Sequence, residues 1–179
     1  MSLKGYLNLL FGRKPMAVLT PGKAAPGFSL KTTDGQEVTL AAALKNGPVL
    51  AAFFKVNCPT CQFTFPFLQR LYEAYGGDKV TFWGVSQNDE DETREFCKEF
   101  GVRFPMLIDA RTFVASRQYG LTNVPSIFLI SPDGKVKVSS VGFAKADIER
   151  ISAEVARAAS KSAAAIFRPG EVVPAYKPG

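Results

Sequence analysis

At 179 residues the chain has room for one ordinary domain, and a 46% hydrophobic content can build a sizeable core, which excludes global disorder. The net charge of +6 is spread over scattered lysines and arginines with no block of five or six, so nucleic-acid binding is not the expected function. There is no histidine at all, which removes Ser–His and Cys–His nucleophile pairs, histidine-ligated metals and histidine general bases.

Residues 1–20 read as a leader without clear period, and the first thirty carry Lys4, Arg13, Lys14 and Lys23 without a single acid. The apolar run Gly5–Phe11 is about half the length of a signal-peptide core and lacks a small-residue cleavage site. No apolar run reaches the roughly 18 residues of a membrane helix. The chain as it stands is expected in the cytoplasm, or in the periplasm or on the envelope if a leader has been removed.

Phe28–Leu40 predicts a hairpin around Asp34-Gly35, with Phe28, Leu30, Val38 and Leu40 in rough alternation. Pro48–Val56 is nearly all apolar, as in a central strand buried on both faces. Pro59–Tyr75 predicts a helix with Phe63, Phe67, Leu68, Leu71 and Tyr72 on one stripe, stopped by Gly76-Gly77. Lys79–Ser86 is a second buried strand. Asp89–Phe100 is a helix with acids crowding its first turn, where the dipole favours them. A short strand at Met106–Asp109 and a short helix at Thr112–Tyr119 follow. Pro125–Ser131 and Lys135–Val141 flank the turn Pro132-Asp133-Gly134. The spacing of Ile148, Ile151, Val155 and Ala158 predicts a final helix from Ala144 to about Ala165. The last eleven residues, with Pro169, Pro174 and Pro178, form an extended strap or stay disordered.

Chemistry concentrates at Cys58 and Cys61, in the motif Cys-Pro-Thr-Cys at a strand-to-helix junction. A cysteine at a helix N-terminus sits where unpaired N–H groups and the dipole stabilise an anion, and the thiolate is the nucleophile. Pro59 fits the first helical turn, where its missing N–H costs nothing. The second cysteine lies one turn further and within disulfide reach. Cys58 would attack a substrate disulfide and Cys61 would resolve the mixed disulfide. Lys55, near the strand's end, is placed to lend positive charge to the Cys58 thiolate; the alternative is a plain surface lysine. Half a zinc site, two unreactive thiols or a purely structural disulfide are the competing readings of the pair, and a four-ligand zinc site needs more Cys or His than the chain has. Val124-Pro125 opens a strand, a position that tolerates proline.

At these residues the chain resembles a family. The segments FFKVNCPTCQFTFPFLQRLYEAY, GVRFPMLID and VPSIFLISPDGKV are similar to TlpA/ResA-type thioredoxin-like proteins within the redoxin (AhpC/TSA) group, over roughly Ala24–Ala165. The resemblance implies an α/β thioredoxin-like fold, a mixed central sheet flanked by helices, with an N-terminal β-hairpin extension. It divides the chain into a leader (1–20), a thioredoxin-like domain (21–168) and a Pro/Gly-rich tail (169–179). It implies disulfide exchange, often in cytochrome c maturation or envelope thiol reduction, with a protein or small-molecule disulfide or thiol as substrate and an external thiol reductant or oxidant. The redox-active disulfide Cys58–Cys61 itself would serve in place of a cofactor. A cis Val124–Pro125 bond is expected to face the cysteines and leave the backbone of Val124 free for the substrate chain, with Asn57, Pro59, Thr60 and Lys55 in support.

The departures from the family pattern are specific. Asn57 stands where a Trp is usual, Ala52 where thioredoxins keep a buried Asp, and Thr64 where ResA-type proteins often place Glu. No familiar acid is therefore available to deprotonate Cys61. A thiol-dependent peroxidase with Cys58 peroxidatic is the nearest enzyme rival, but its Pro and Thr/Ser signature positions hold Ala51 and Lys55. A non-catalytic binding module using the Pro125 groove is the rival from another class. Cys97 lies on a core-facing stripe with Thr93, Phe96 and Phe100 and is expected to be structural. Pro66 removes one bond inside the motif helix and should bend it.

Overall fold

The computed structural model describes residues 18–77 and 79–179. Most of the leader, with Lys4, Arg13 and Lys14, lies outside them. The elements run β1 (Ser29–Thr32), β2 (Glu37–Thr39), α1 (Leu40–Ala43), β3 (Val49–Phe54), α2 (Pro59–Tyr75), β4 (Thr81–Ser86) and α3 (Glu90–Phe100). They continue with β5 (Met106–Ile108), α4 (Val114–Gln118), β6 (Ser126–Ile130), β7 (Val136–Val141), β8 (Phe143–Ala144), α5 (Lys145–Ala158) and β9 (Tyr176–Lys177).

The run VLAAFF explains the centre of the molecule. A strand sends successive side chains to opposite faces, and every residue of β3 is buried. Leu50, Ala52 and Phe54 enter one core, with Phe82 of β4 and Ile127 and Leu129 of β6. Val49, Ala51 and Phe53 enter the other, with Trp83, Val85, Phe128 and Ile130. The first core is roofed by α2, α3 and α5, through Phe65, Leu68 and Leu71, Phe96, and Ile148, Ile151 and Val155. The second is closed by Leu40 and Ala43 of α1, Ala115 of α4, and Tyr119. The layers are helices, sheet, helices.

The seven-stranded sheet has the order β2-β1-β5-β4-β3-β6-β7. β3 runs parallel to β4, and β4 to β5, while β6 and β7 are antiparallel, so the sheet is mixed as expected. The expected hairpin is present, and β1 also pairs antiparallel with β5, which joins the hairpin to the main sheet. Residues of the 22–25 segment bond to the outer edge of the hairpin that follows β6, through Gly22 N–H to the Val136 carbonyl and Ala25 N–H to that of Gly134.

Two helices are shorter than their patterns predict. The one expected at Thr112–Tyr119 spans only Val114–Gln118, because Arg111 and Phe113 adopt left-handed backbone and the turn starts after them. Its N-terminal donors are taken by buried Asp109, whose carboxylate accepts from the Ala115 and Ser116 backbones and the Ser116 hydroxyl. The helix expected to reach about Ala165 stops at Ala158. Ser160 turns left-handed, and the following segment goes to Tyr75: its hydroxyl donates to the Ser162 carbonyl and accepts from the Ala164 N–H. Ile166 is then buried, and Phe167 packs on Phe67 and Phe143. Tertiary contacts override the helix propensity of Ala163–Ala165. The segment after it is the extended strap of the two expectations, ending in β9, which pairs antiparallel with β8. Among the described residues no helix is long and apolar enough to cross a membrane.

Candidate active site

The site forms where β3 ends and α2 begins. Cys58 is the N-cap of α2 with extended backbone, and Pro59 follows in the first turn. Its Sγ accepts the Cys61 N–H at 3.2 Å, so one of the helix's unpaired donors already points at the sulfur. Cys58 is half-buried, while Cys61 is fully buried behind it. Both stand as thiols. Pro66 deprives the Gln62 carbonyl of its helical donor, yet α2 continues as one element to Tyr75.

The electrostatics of the two thiols differ. Burial pushes the Cys61 thiol well above the ordinary range, and the neighbouring Cys58 side chain pushes the same way. The Lys55 backbone and charge oppose both. Lys55 is exposed just after β3, and its backbone and charge favour the Cys61 thiolate. Ala52 is buried in β3, and Thr64 is buried with its hydroxyl donated to the Thr60 carbonyl at 2.6 Å. Neither supplies an acid. Asn57 is exposed beside the motif. Cys97 is partly buried on the α3 stripe with Phe96 and Phe100, and burial pushes its thiol up to about 11.

Val124–Pro125 is cis and lies against the cysteine pair. The Cys58 thiol donates to the Val124 carbonyl at 3.3 Å. The fold thus brings Cys58, Cys61, Thr60, Val124 and Pro125 together. It adds residues that no local pattern marks. The Thr60 hydroxyl donates to the Pro178 carbonyl at 2.7 Å, and the Asn123 amide donates to the Gly179 carbonyl at 3.0 Å. The proline-rich composition of the tail signals an extended segment but holds no information about where it lands.

A mixed sheet with a helix-capping Cys-x-x-Cys pair facing a cis-proline defines a thioredoxin-like redox protein. Residues 21–139 match the AhpC/TSA family model, and the chain belongs to that family. It is 31% identical to the thiol-disulfide oxidoreductase ResA of Geobacillus thermodenitrificans over 81% of this chain and 82% of that one. It is 30% identical to ResA of Bacillus subtilis over 72% and 70%. Among solved structures, a putative thiol:disulfide interchange protein DsbE from Chlorobium tepidum superposes with a TM-score of 0.65 at 28% identity, covering 79% of this chain and 99% of that one.

Proposed function

We infer that the protein is a thiol–disulfide oxidoreductase in which Cys58 attacks and Cys61 resolves. The observation that carries this is the asymmetry of the pair: a half-exposed sulfur capping a helix, with a buried, protonated thiol one turn behind it. The Cys58 thiolate attacks one sulfur of a substrate disulfide, breaking that bond and releasing the other sulfur as a thiolate. Cys61 then loses its proton and attacks Cys58 in the mixed disulfide, releasing the second substrate thiol and forming Cys58–Cys61. A dithiol donor returns the pair to thiols; run in reverse, the same steps oxidise a substrate.

Burial of Cys61 has a mechanistic consequence. A thiol held protonated does not compete for the first attack, so Cys58 is the entry point. The missing acid at Ala52 and Thr64 leaves Lys55 as the charged side chain that favours the Cys61 thiolate. The peroxidase reading has no support at Ala51 or Lys55, which lack its signature. The resemblance favours an envelope setting with protein disulfides as substrates.

Insulin reduction tests the reading. Cys58→Ser should abolish turnover, and Cys61→Ser should accumulate mixed disulfides with partners. Undiminished turnover by Cys58→Ser would refute it. Equilibration with dithiothreitol or glutathione decides the direction: a potential near roughly −270 mV means a reductase, and one near roughly −120 mV an oxidant.

A further inference from the structure

We propose that Ala175–Gly179 is a resident occupant of the substrate groove, held where an extended peptide would lie, with Thr60 and Asn123 as the side chains that read peptide carbonyls there. This rests on the thiol–disulfide reading and names its substrate class: an extended polypeptide segment carrying the disulfide, rather than a small free disulfide.

Four observations converge. The segment is a strand: Tyr176 and Lys177 pair antiparallel with Ala144 and Phe143, and the Lys145 N–H donates to the Ala175 carbonyl at 2.9 Å. It then crosses the motif itself, where Thr60, the residue just before Cys61, donates to the Pro178 carbonyl. Lys177 sits over the Phe63 ring at 4.9 Å, a second contact with the motif helix. Finally, Gly179 and the Cys58 thiol both lie against the Val124 carbonyl. A Cβ on Gly179 would lie 2.6 Å from the Val124 oxygen, the same oxygen that the Cys58 thiol reaches at 3.3 Å. A substrate chain pairing with the Val124 backbone has to take the place of Gly179.

The groove is fitted to this occupant. Gly142 has left-handed backbone and is buried beneath the tail, and a Cβ there would lie 2.4 Å from the Lys177 carbonyl oxygen. The preceding chain is moored by Glu171, whose carboxylate takes two 2.8 Å bonds from Arg70 of α2. The tail competes in cis with peptides, so an incoming substrate sees only the fraction of molecules in which the groove is open. Small reagents still reach the half-exposed Cys58.

The test compares the full chain with Gly179→Val, whose side chain has no room against Val124, and Lys177→Glu, which removes the contact with Phe63. Neither change touches the core. Both variants should lower the KM for insulin by about ten-fold, with kcat unchanged, and should speed labelling of Cys58 by a bulky maleimide, read by peptide mapping, by a similar factor. Reduction of a small aromatic disulfide should change by less than about two-fold. A synthetic peptide of the sequence Pro174–Gly179 should compete with insulin in both variants. Unchanged insulin KM and unchanged labelling in both variants would overturn the proposal, as would an equal gain with the small disulfide. Loss of turnover with every substrate in every protein would instead count against the exchange reading, and the labelling rates would still decide the tail's placement.

Discussion

The Cys58 thiol donates a hydrogen bond to the Val124 carbonyl oxygen across 3.3 Å, joining residues 66 positions apart. Strand register produces this contact. β3 and β6 pair antiparallel with Phe53 opposite Ser126, so the end of β3 lies beside the start of β6. The chain leaves β3 towards Cys58, and it enters β6 from Val124–Pro125. Nucleophile and backbone acceptor therefore meet at one edge without any direct sequence link.

The first prediction concerns the order of thiol reactivity. With iodoacetamide near neutral pH, Cys58 should be carbamidomethylated first, and Cys61 should react at least about ten-fold more slowly, because it is buried and held protonated. Cys97 should also lag, its thiol pushed up to about 11 by burial. Mass spectrometry of timed digests reads the order, and equal rates at Cys58 and Cys61 would contradict the asymmetry.

A second prediction tests what holds α2 in place. Phe65 lies one turn beyond Cys61 and is fully buried, with ring centroids 4.3 Å from Phe54, 5.3 Å from Phe96 and 5.8 Å from Phe104. Phe65→Ala should cost about 3–5 kcal/mol, the loss of a buried aromatic plus the cavity it leaves. Urea denaturation measures this; a loss under about 1 kcal/mol would mean the helix is positioned by other contacts.

A third prediction concerns the mooring of the tail. The Arg70 guanidinium, with the Arg168 backbone N–H, holds the Glu171 carboxyl down to about 2 from an ordinary 4.5. A carboxylate depressed in this way stabilises the folded state above its ordinary value. That contribution is lost as pH falls through the window from about 4.5 to about 2. Thermal melts from pH 7 to pH 2 should therefore show a shallower acid decline for Glu171→Gln than for the unaltered chain. Parallel curves would show that the pair adds no pH-dependent stability, a fair outcome to test for groups about a quarter exposed.

Much of the site is legible because its signals are local. A cysteine after a buried strand and before Pro59 marks a helix N-cap, and the structure has Cys58 there. Val124-Pro125 before an apolar run marks a strand entry. That Lys55 also bears on the Cys61 thiol is not legible from spacing alone, because it depends on the turn of α2. Asn123 carries no local signal, because its partner Gly179 is 56 residues away.

The sequence by itself determined the order of the longer strands and helices, the two-faced burial of β3, and the placement of Cys58 and Cys61 on the first turn of α2. These follow from side-chain periodicity and capping, which operate over a few residues. Only the tertiary structure decided where α5 stops and where the tail goes. Ala163–Ala165 favour helix locally, but the Tyr75 hydroxyl, the pocket for Ile166 and the Arg70 guanidinium draw the chain away. Those groups belong to α2 and the core around it, distant in sequence, and their combined pull exceeds the few tenths of a kcal/mol per residue that helix propensity offers, roughly 0–0.7 kcal/mol.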